Sequence, residues 1–327
     1  MVLFNNLFRI SVISILFYSN ALGQTSMTEI NNFGSNPGNL KLYFYSPIDS
    51  SKISERKPLV IVLHGCWQTA EIVERQSGWN KLADGNGFYV LYPEQLFLNN
   101  TASCFNWFNV NDVSKDNGEV LSIRQMISYA VKNYSIDTTQ IFIYGLSAGA
   151  VMTVSMMVDY PELFNAGASL AGGPFMVSTN PLEGVSMMNN PILKSPDELG
   201  ALVKNQNPDY KGKYPRLIII HGEKDFVVNY KNANELIKQW TNVIHIDTIP
   251  SMEFDSFQNH VDIKRLSWID KMKNEIIIFY SFNDMGHSLP VDPGNEKNQG
   301  GETGLFASDK NFFSTYYIAK DFGLIKE

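Results

Sequence analysis

Three side chains in this sequence have the types and order needed for acyl transfer: a serine held between glycines, a late histidine, and an aspartate between them. The pentapeptide Gly145-Leu146-Ser147-Ala148-Gly149 fits G-x-S-x-G, the sharp strand-to-helix turn that presents a nucleophilic serine. The pattern also arises by chance, so context decides. The apolar run Ile141-Phe142-Ile143-Tyr144 comes just before it, and a helical pattern opens at Ala148. The glycines suit a tight turn with other backbone close to Ser147. A helix start there supplies backbone N–H groups and a positive dipole end for a developing oxyanion. The plainer alternative is a small-residue turn with no chemistry.

An activated serine needs a base, and the base needs an orienting acid. Only five histidines are present, so elimination works. His64 and His221 each end an apolar run and precede a glycine, which suits loop shaping. His245 lies between Ile244 and Ile246 and is expected within a strand. His260, in Gln258-Asn259-His260, is expected on the surface. His287 follows the last strong apolar run, 275–280, in the loop beyond its carboxyl end. Loops at that edge are where α/β sheets build their sites. His287 is therefore the expected base.

In this chain order the acid lies between serine and histidine. Asp225, in His221-Gly222-Glu223-Lys224-Asp225, follows the run 217–220. Glu223 is its competitor, and a solvated turn carboxylate is the plainer reading. Asp225 is favoured because Phe226-Val227-Val228 is expected to bury its surroundings. The oxyanion hole should use the Ala148 amide and one from the loop His64-Gly65-Cys66-Trp67-Gln68, with Cys66 N–H as the candidate. Trp67, Gln68 and Trp107 are the expected substrate contacts. Phe108 stands beside Trp107, and the aromatic residues fit an ordinary core equally well.

These residues need a scaffold. The runs 59–63, 88–92, 141–144, 217–220 and 275–280 are apolar on both faces, as in a parallel sheet covered on each side. From Leu121, apolar residues recur at Ile123, Met126, Ile127, Ala130 and Val131 with a helical period. Further helices are expected over 148–158, 233–240 and 312–319. Strand–helix alternation of this kind gives an α/β fold with a mostly parallel central sheet and helices on both faces. The segment 172–213, poor in strand signal and rich in Pro, Asn and Met, is expected as a cap or surface excursion beside the site.

The chain has 327 residues, 44% hydrophobic and 18% charged, with a net charge of −7. That suits a globular protein with an uncharged substrate, and it argues against a nucleic-acid partner, which needs a basic face. Arg9, the apolar run 10–18 and small residues ending Ala21-Leu22-Gly23 form a signal-peptide pattern. The alternative is a buried N-terminal element. The expected organisation is a signal peptide over 1–23, one catalytic domain over 24–327, no membrane span after signal removal, and a secreted or periplasmic destination. In an oxidising compartment the two cysteines favour a Cys66–Cys104 disulfide. Two separate buried thiols are the alternative. Such a disulfide would brace the oxyanion loop.

The chain resembles the polyhydroxybutyrate depolymerase family of esterases, which also contains feruloyl and acetylxylan esterases. The resemblance runs through Leu63-His64-Gly65-Cys66-Trp67-Gln68, Tyr92-Pro93-Glu94-Gln95 and Cys104-Phe105-Asn106-Trp107-Phe108. It continues through Gly145-Leu146-Ser147-Ala148-Gly149-Ala150, the 221–225 segment with Gln239-Trp240, and Met285-Gly286-His287-Ser288-Leu289-Pro290-Val291-Asp292-Pro293-Gly294. It implies an α/β-hydrolase fold, a Ser147–His287–Asp225 triad, the Cys66–Cys104 pair, and no metal or organic cofactor. The segment around His287 looks more like the depolymerase branch. Many secreted depolymerases carry a separate polymer-binding domain after the catalytic part. Nothing of that kind is expected before Glu327. Amorphous hydroxyalkanoate polymer, soluble oligomers or other short-chain esters are thus the expected substrates. A feruloyl or acetylxylan esterase is the alternative, and an inactive polymer-binding protein a remote one.

Overall fold

The computed structural model describes residues 27–47 and 55–325. The expected signal peptide lies outside the described residues. In chain order the elements are β1 (Thr28–Ile30), β2 (Lys41–Tyr45), β3 (Lys57–Leu63), α1 (Ala70–Ser77), α2 (Trp79–Asn86) and β4 (Tyr89–Glu94). Then come α3 (Val110–Val113), α4 (Gly118–Asn133), β5 (Ile136–Leu146), α5 (Ala148–Asp159), β6 (Ala166–Leu170), α6 (Pro181–Asn189) and α7 (Pro196–Gln206). The last group is β7 (Arg216–Gly222), α8 (Lys231–Val243), β8 (Met252–Phe254), β9 (Ile263–Ile269), β10 (Glu275–Phe282), β11 (Leu289–Val291), β12 (Ala307–Asp309) and α9 (Ser314–Phe322).

Ten strands form one sheet in the order β1-β2-β4-β3-β5-β6-β7-β10-β9-β8. The block from β4 to β10 is parallel throughout. The outer pairs are antiparallel. This is the α/β-hydrolase fold. Successive strand residues face opposite sides, so each apolar run feeds two cores. Leu59, Ile61 and Leu63 join one with the helices α4, α5 and α8. Val60 and Val62 join the other with α1, α2 and α9.

Every residue of α5 is buried, which is why its apolar residues are spread around the helix rather than confined to one stripe. It packs on β6, whose sequence Ala-Gly-Ala-Ser-Leu carries little strand propensity. Small residues there make room for the helix: a Cβ on Gly167 would run into the Met157 side chain. The expected strand at His245 is replaced by a turn. His245 sits just past α8 with φ 59°, its amide directed to Asn242 O at 3.3 Å. The helical period of α8 outlasts Trp240, so the isoleucines beside His245 belong to its end.

A close backbone contact lies where α5 starts. A Cβ on Gly149 would lie 2.5 Å from the carbonyl oxygens of both Leu63 and His64. Gly149→Ala should therefore lower the unfolding free energy by about 1–3 kcal/mol, read from urea titration. An unchanged midpoint would contradict this packing.

Candidate active site

Ser147 follows β5 and caps α5 with φ 56° and ψ −118°. A non-glycine residue held there stores of order 1–3 kcal/mol of strain. Its amide donates to Leu170 O at 2.8 Å, which ties the turn to the end of β6. A Cβ on Gly145 would strike the Gly149 carbonyl, so the elbow needs both glycines.

His287 meets the serine from the loop after β10. Its Nε2 lies 2.9 Å from Ser147 Oγ, and its Nδ1 lies 2.8 Å from Asp225 Oδ2. An ionised carboxylate only accepts, so Nδ1 carries the hydrogen and Nε2 accepts from the serine hydroxyl. The Phe306 ring stands edge-on to the imidazole at 5.9 Å.

Asp225 follows β7 and is buried. Its Oδ1 accepts from the amides of Val227 at 2.9 Å and Val228 at 2.8 Å. Burial alone would raise its pKa, but hydrogen bonds from His221 and His287 outweigh that and hold it well below the usual carboxylate range. The expected reason for its burial needs correction. Phe226 and Val227 are exposed while Val228 is buried, so only one of the three side chains covers the turn, and the amides of Val227 and Val228 hold the carboxylate. Glu223 is turned away and accepts from Ser281 Oγ at 2.9 Å.

The oxyanion candidates stand at the same place. Cys66, Ser147 and Ala148 line one cavity. Among the described residues no hydrogen-bond acceptor takes the Cys66 or Ala148 amide. The loop carrying Cys66 is anchored three ways. The Cys66–Cys104 disulfide closes a separation of 38 residues. Trp67 N donates to Ala102 O at 2.7 Å. Gly65 N donates to Gln68 Oε1 at 2.7 Å.

His64 is the hidden brace of this loop. Its Nε2 accepts from Gln95 N at 3.0 Å, so its Nδ1 carries the hydrogen donated to Gly65 O at 2.7 Å. Burial lowers its pKa to about 4. Glu119, fully buried, accepts from the Gln95 side chain and from Asn106 N at 2.9 Å. It thereby fixes the segment before Trp107.

The three expected substrate contacts divide. Trp107 lines the cavity. Trp67 is exposed and stands outside the cavity wall. Gln68 must be corrected: it is buried, its Nε2 donates to Gln76 Oε1 at 2.7 Å, and its groups are spent on the loop. The remaining wall comes mainly from Val151, Val177, Met187, Met188 and Val228. The Met pair lies in the 172–213 excursion, which does flank the site. It is pinned from α8, because Asn232 Nδ2 donates to Met188 O at 3.0 Å. No group of His, Cys, Asp and Glu that could hold a metal ion occurs among the described residues.

Residues 41–251 match the family model described as esterase PHB depolymerase. The chain belongs to that family. It is 38% identical to poly(3-hydroxyalkanoate) depolymerase C of Paucimonas lemoignei over 92% of this chain and 70% of that one. It is 31% identical to an acetylxylan esterase of Coprinopsis cinerea over 81% of this chain and 69% of the relative. An acetyl xylan esterase from Aspergillus awamori has the same fold, with TM-score 0.73 at 24% identity over 80% of this chain and 94% of that one. This esterase is a serine ester hydrolase. Among its described residues no helix is long and apolar enough to cross a membrane.

Two expectations follow from the braced loop. His64 is depressed from 6.5 to about 4 in the folded chain. Its contribution to stability is therefore complete above pH 6.5 and is lost as pH falls from 6.5 through about 4. Glu74, raised by burial to about 7, works in the opposite sense. The readout is thus the difference in thermal midpoint between wild type and His64→Gln across that window, which should narrow as pH falls. A constant difference would count against it. Removing the 38-residue cross-link with Cys66→Ser/Cys104→Ser should cost about 4 kcal/mol of stability. It should also lower kcat by up to about 10²-fold as the Cys66 amide loses its position. A variant as stable and active as wild type would remove the brace from the account.

Proposed function

We propose that this esterase is exported and cleaves hydroxyalkanoate esters, as polymer or oligomer, through Ser147, His287 and Asp225. The observation that carries the reading is the unbroken chain of contacts from Ser147 Oγ to His287 at 2.9 Å and on to Asp225 at 2.8 Å, at the mouth of an apolar cavity. Ser147 attacks the ester carbonyl as His287 Nε2 takes its proton. Asp225 holds the imidazole in the productive tautomer and stabilises the imidazolium. The Cys66 and Ala148 amides bind the oxyanion. His287 then protonates the leaving alcohol, and water releases the acyl group by the same steps in reverse.

Three features support this substrate and destination. The cavity wall is aliphatic, with Trp107 as its one aromatic side chain among the lining residues, which suits a short acyl unit. Large exposed apolar side chains adjoin the site elements: Trp67 next to Cys66, Phe226 next to Asp225, Leu305 next to Phe306, and Leu182 and Val185 on α6. Such side chains favour contact with a water-insoluble, uncharged ester. The disulfide fits an oxidising compartment.

Hydrolysis of p-nitrophenyl butyrate by wild type and Ser147→Ala tests the machinery. The variant should lose about 10⁴-fold or more in kcat, and equal rates would sink the assignment. Amorphous poly(3-hydroxybutyrate), methyl ferulate and acetylated xylan then test the substrate. Faster turnover of either plant-type ester than of hydroxybutyrate oligomers would transfer the reading to the feruloyl or acetylxylan branch. Adsorption of Ser147→Ala to a polymer film should weaken when Trp67, Phe226 and Leu305 are changed to serine.

A further inference from the structure

His221 stands one residue before the end of β7, pairs in register with Ser281 of β10 and is completely buried. Its Nε2 lies 2.8 Å from Val228 O and 3.3 Å from Asp225 Oδ2. A carbonyl only accepts, so Nε2 carries the hydrogen, and Val228 O and Oδ2 share it. The ring is held edge-on to Tyr230 at 5.9 Å and 79°. Its other nitrogen, Nδ1, has no hydrogen-bond partner among the described residues. A group kept only to fill space would be cheaper as a leucine, because a buried polar atom without a partner costs free energy.

We infer that His221 is a positioning residue for the acid of the triad, holding Asp225 Oδ2 where His287 Nδ1 meets it. The inference rests on the Ser147–His287–Asp225 reading. The turn's own amides grip only Oδ1. Nothing else among the described residues steadies Oδ2 beside His287. The carboxylate is thus gripped at both oxygens before the imidazolium forms. By fixing Val228 O as well, His221 ties the acid's turn to a residue of the cavity wall.

Two isosteric variants separate positioning from packing. In His221→Gln the side-chain amide N–H falls close to the place of Nε2. In His221→Asn it falls nearer Nδ1, facing away from Asp225. With p-nitrophenyl butyrate, His221→Asn should lose about 10- to 100-fold in kcat with KM within about twofold, and His221→Gln should regain most of that loss. In an Asp225→Ala background His221→Asn should cause little further loss, since the two changes act through one contact. Equal activity of the Asn and Gln variants, or the same loss with and without Asp225, overturns the inference. Ser147→Ala run alongside separates the two failures. If it stays active the triad reading falls, and if it is dead while His221→Asn is fully active only the role of His221 falls.

Discussion

The close approach of the α5 start to the end of β3 is the constraint on which the site depends. Gly149 lies against the Leu63 and His64 carbonyls with no room for a side chain. That contact brings the serine turn and the Cys66 loop to one point at the carboxyl edge of the sheet. Ser147 beside it adopts a positive φ. The strain persists because the surroundings over-determine it: the Ser147 amide is bound to Leu170 O, and all of α5 is buried.

Around that point each partner is fixed by polar groups reaching from a neighbouring element. Asp225 is gripped by the amides of its own turn and approached by two imidazoles. The Cys66 loop is held by a disulfide, by neutral His64 and, through Gln95 and Asn106, by buried Glu119. Burial makes these networks matter, because a buried donor or acceptor left without its partner is expensive. The polar part of the site is held by these contacts. The cavity wall is instead built from methionine and valine on α5, α8's neighbour turn and the excursion, side chains that tolerate different acyl shapes.

The sheet core was legible because strands buried on both faces leave continuous apolar runs, and the serine elbow because its glycines and its strand–helix context coincide. His287 and Asp225 were legible through their places after β10 and β7. β6 was not, since a strand made small to admit α5 has no propensity to display. His245 misled because isoleucines at the end of an amphipathic helix look like strand residues. Gln68 misled because adjacency to Cys66 does not say which way a side chain turns.

The sequence by itself supplied the candidates for the chemistry: a serine elbow, one suitable histidine, a carboxylate between them, and two cysteines placed to brace the neighbouring loop. Those rest on local turn geometry and chain order, which a linear pattern records. Only the tertiary structure decided how Asp225 is held, which imidazole nitrogen carries the hydrogen, and which residues wall the cavity. These depend on contacts between residues far apart in the chain, such as His287 with Ser147 across 140 positions. The turn at Ser147, first a five-residue pattern, becomes in three dimensions the meeting point of four strand ends.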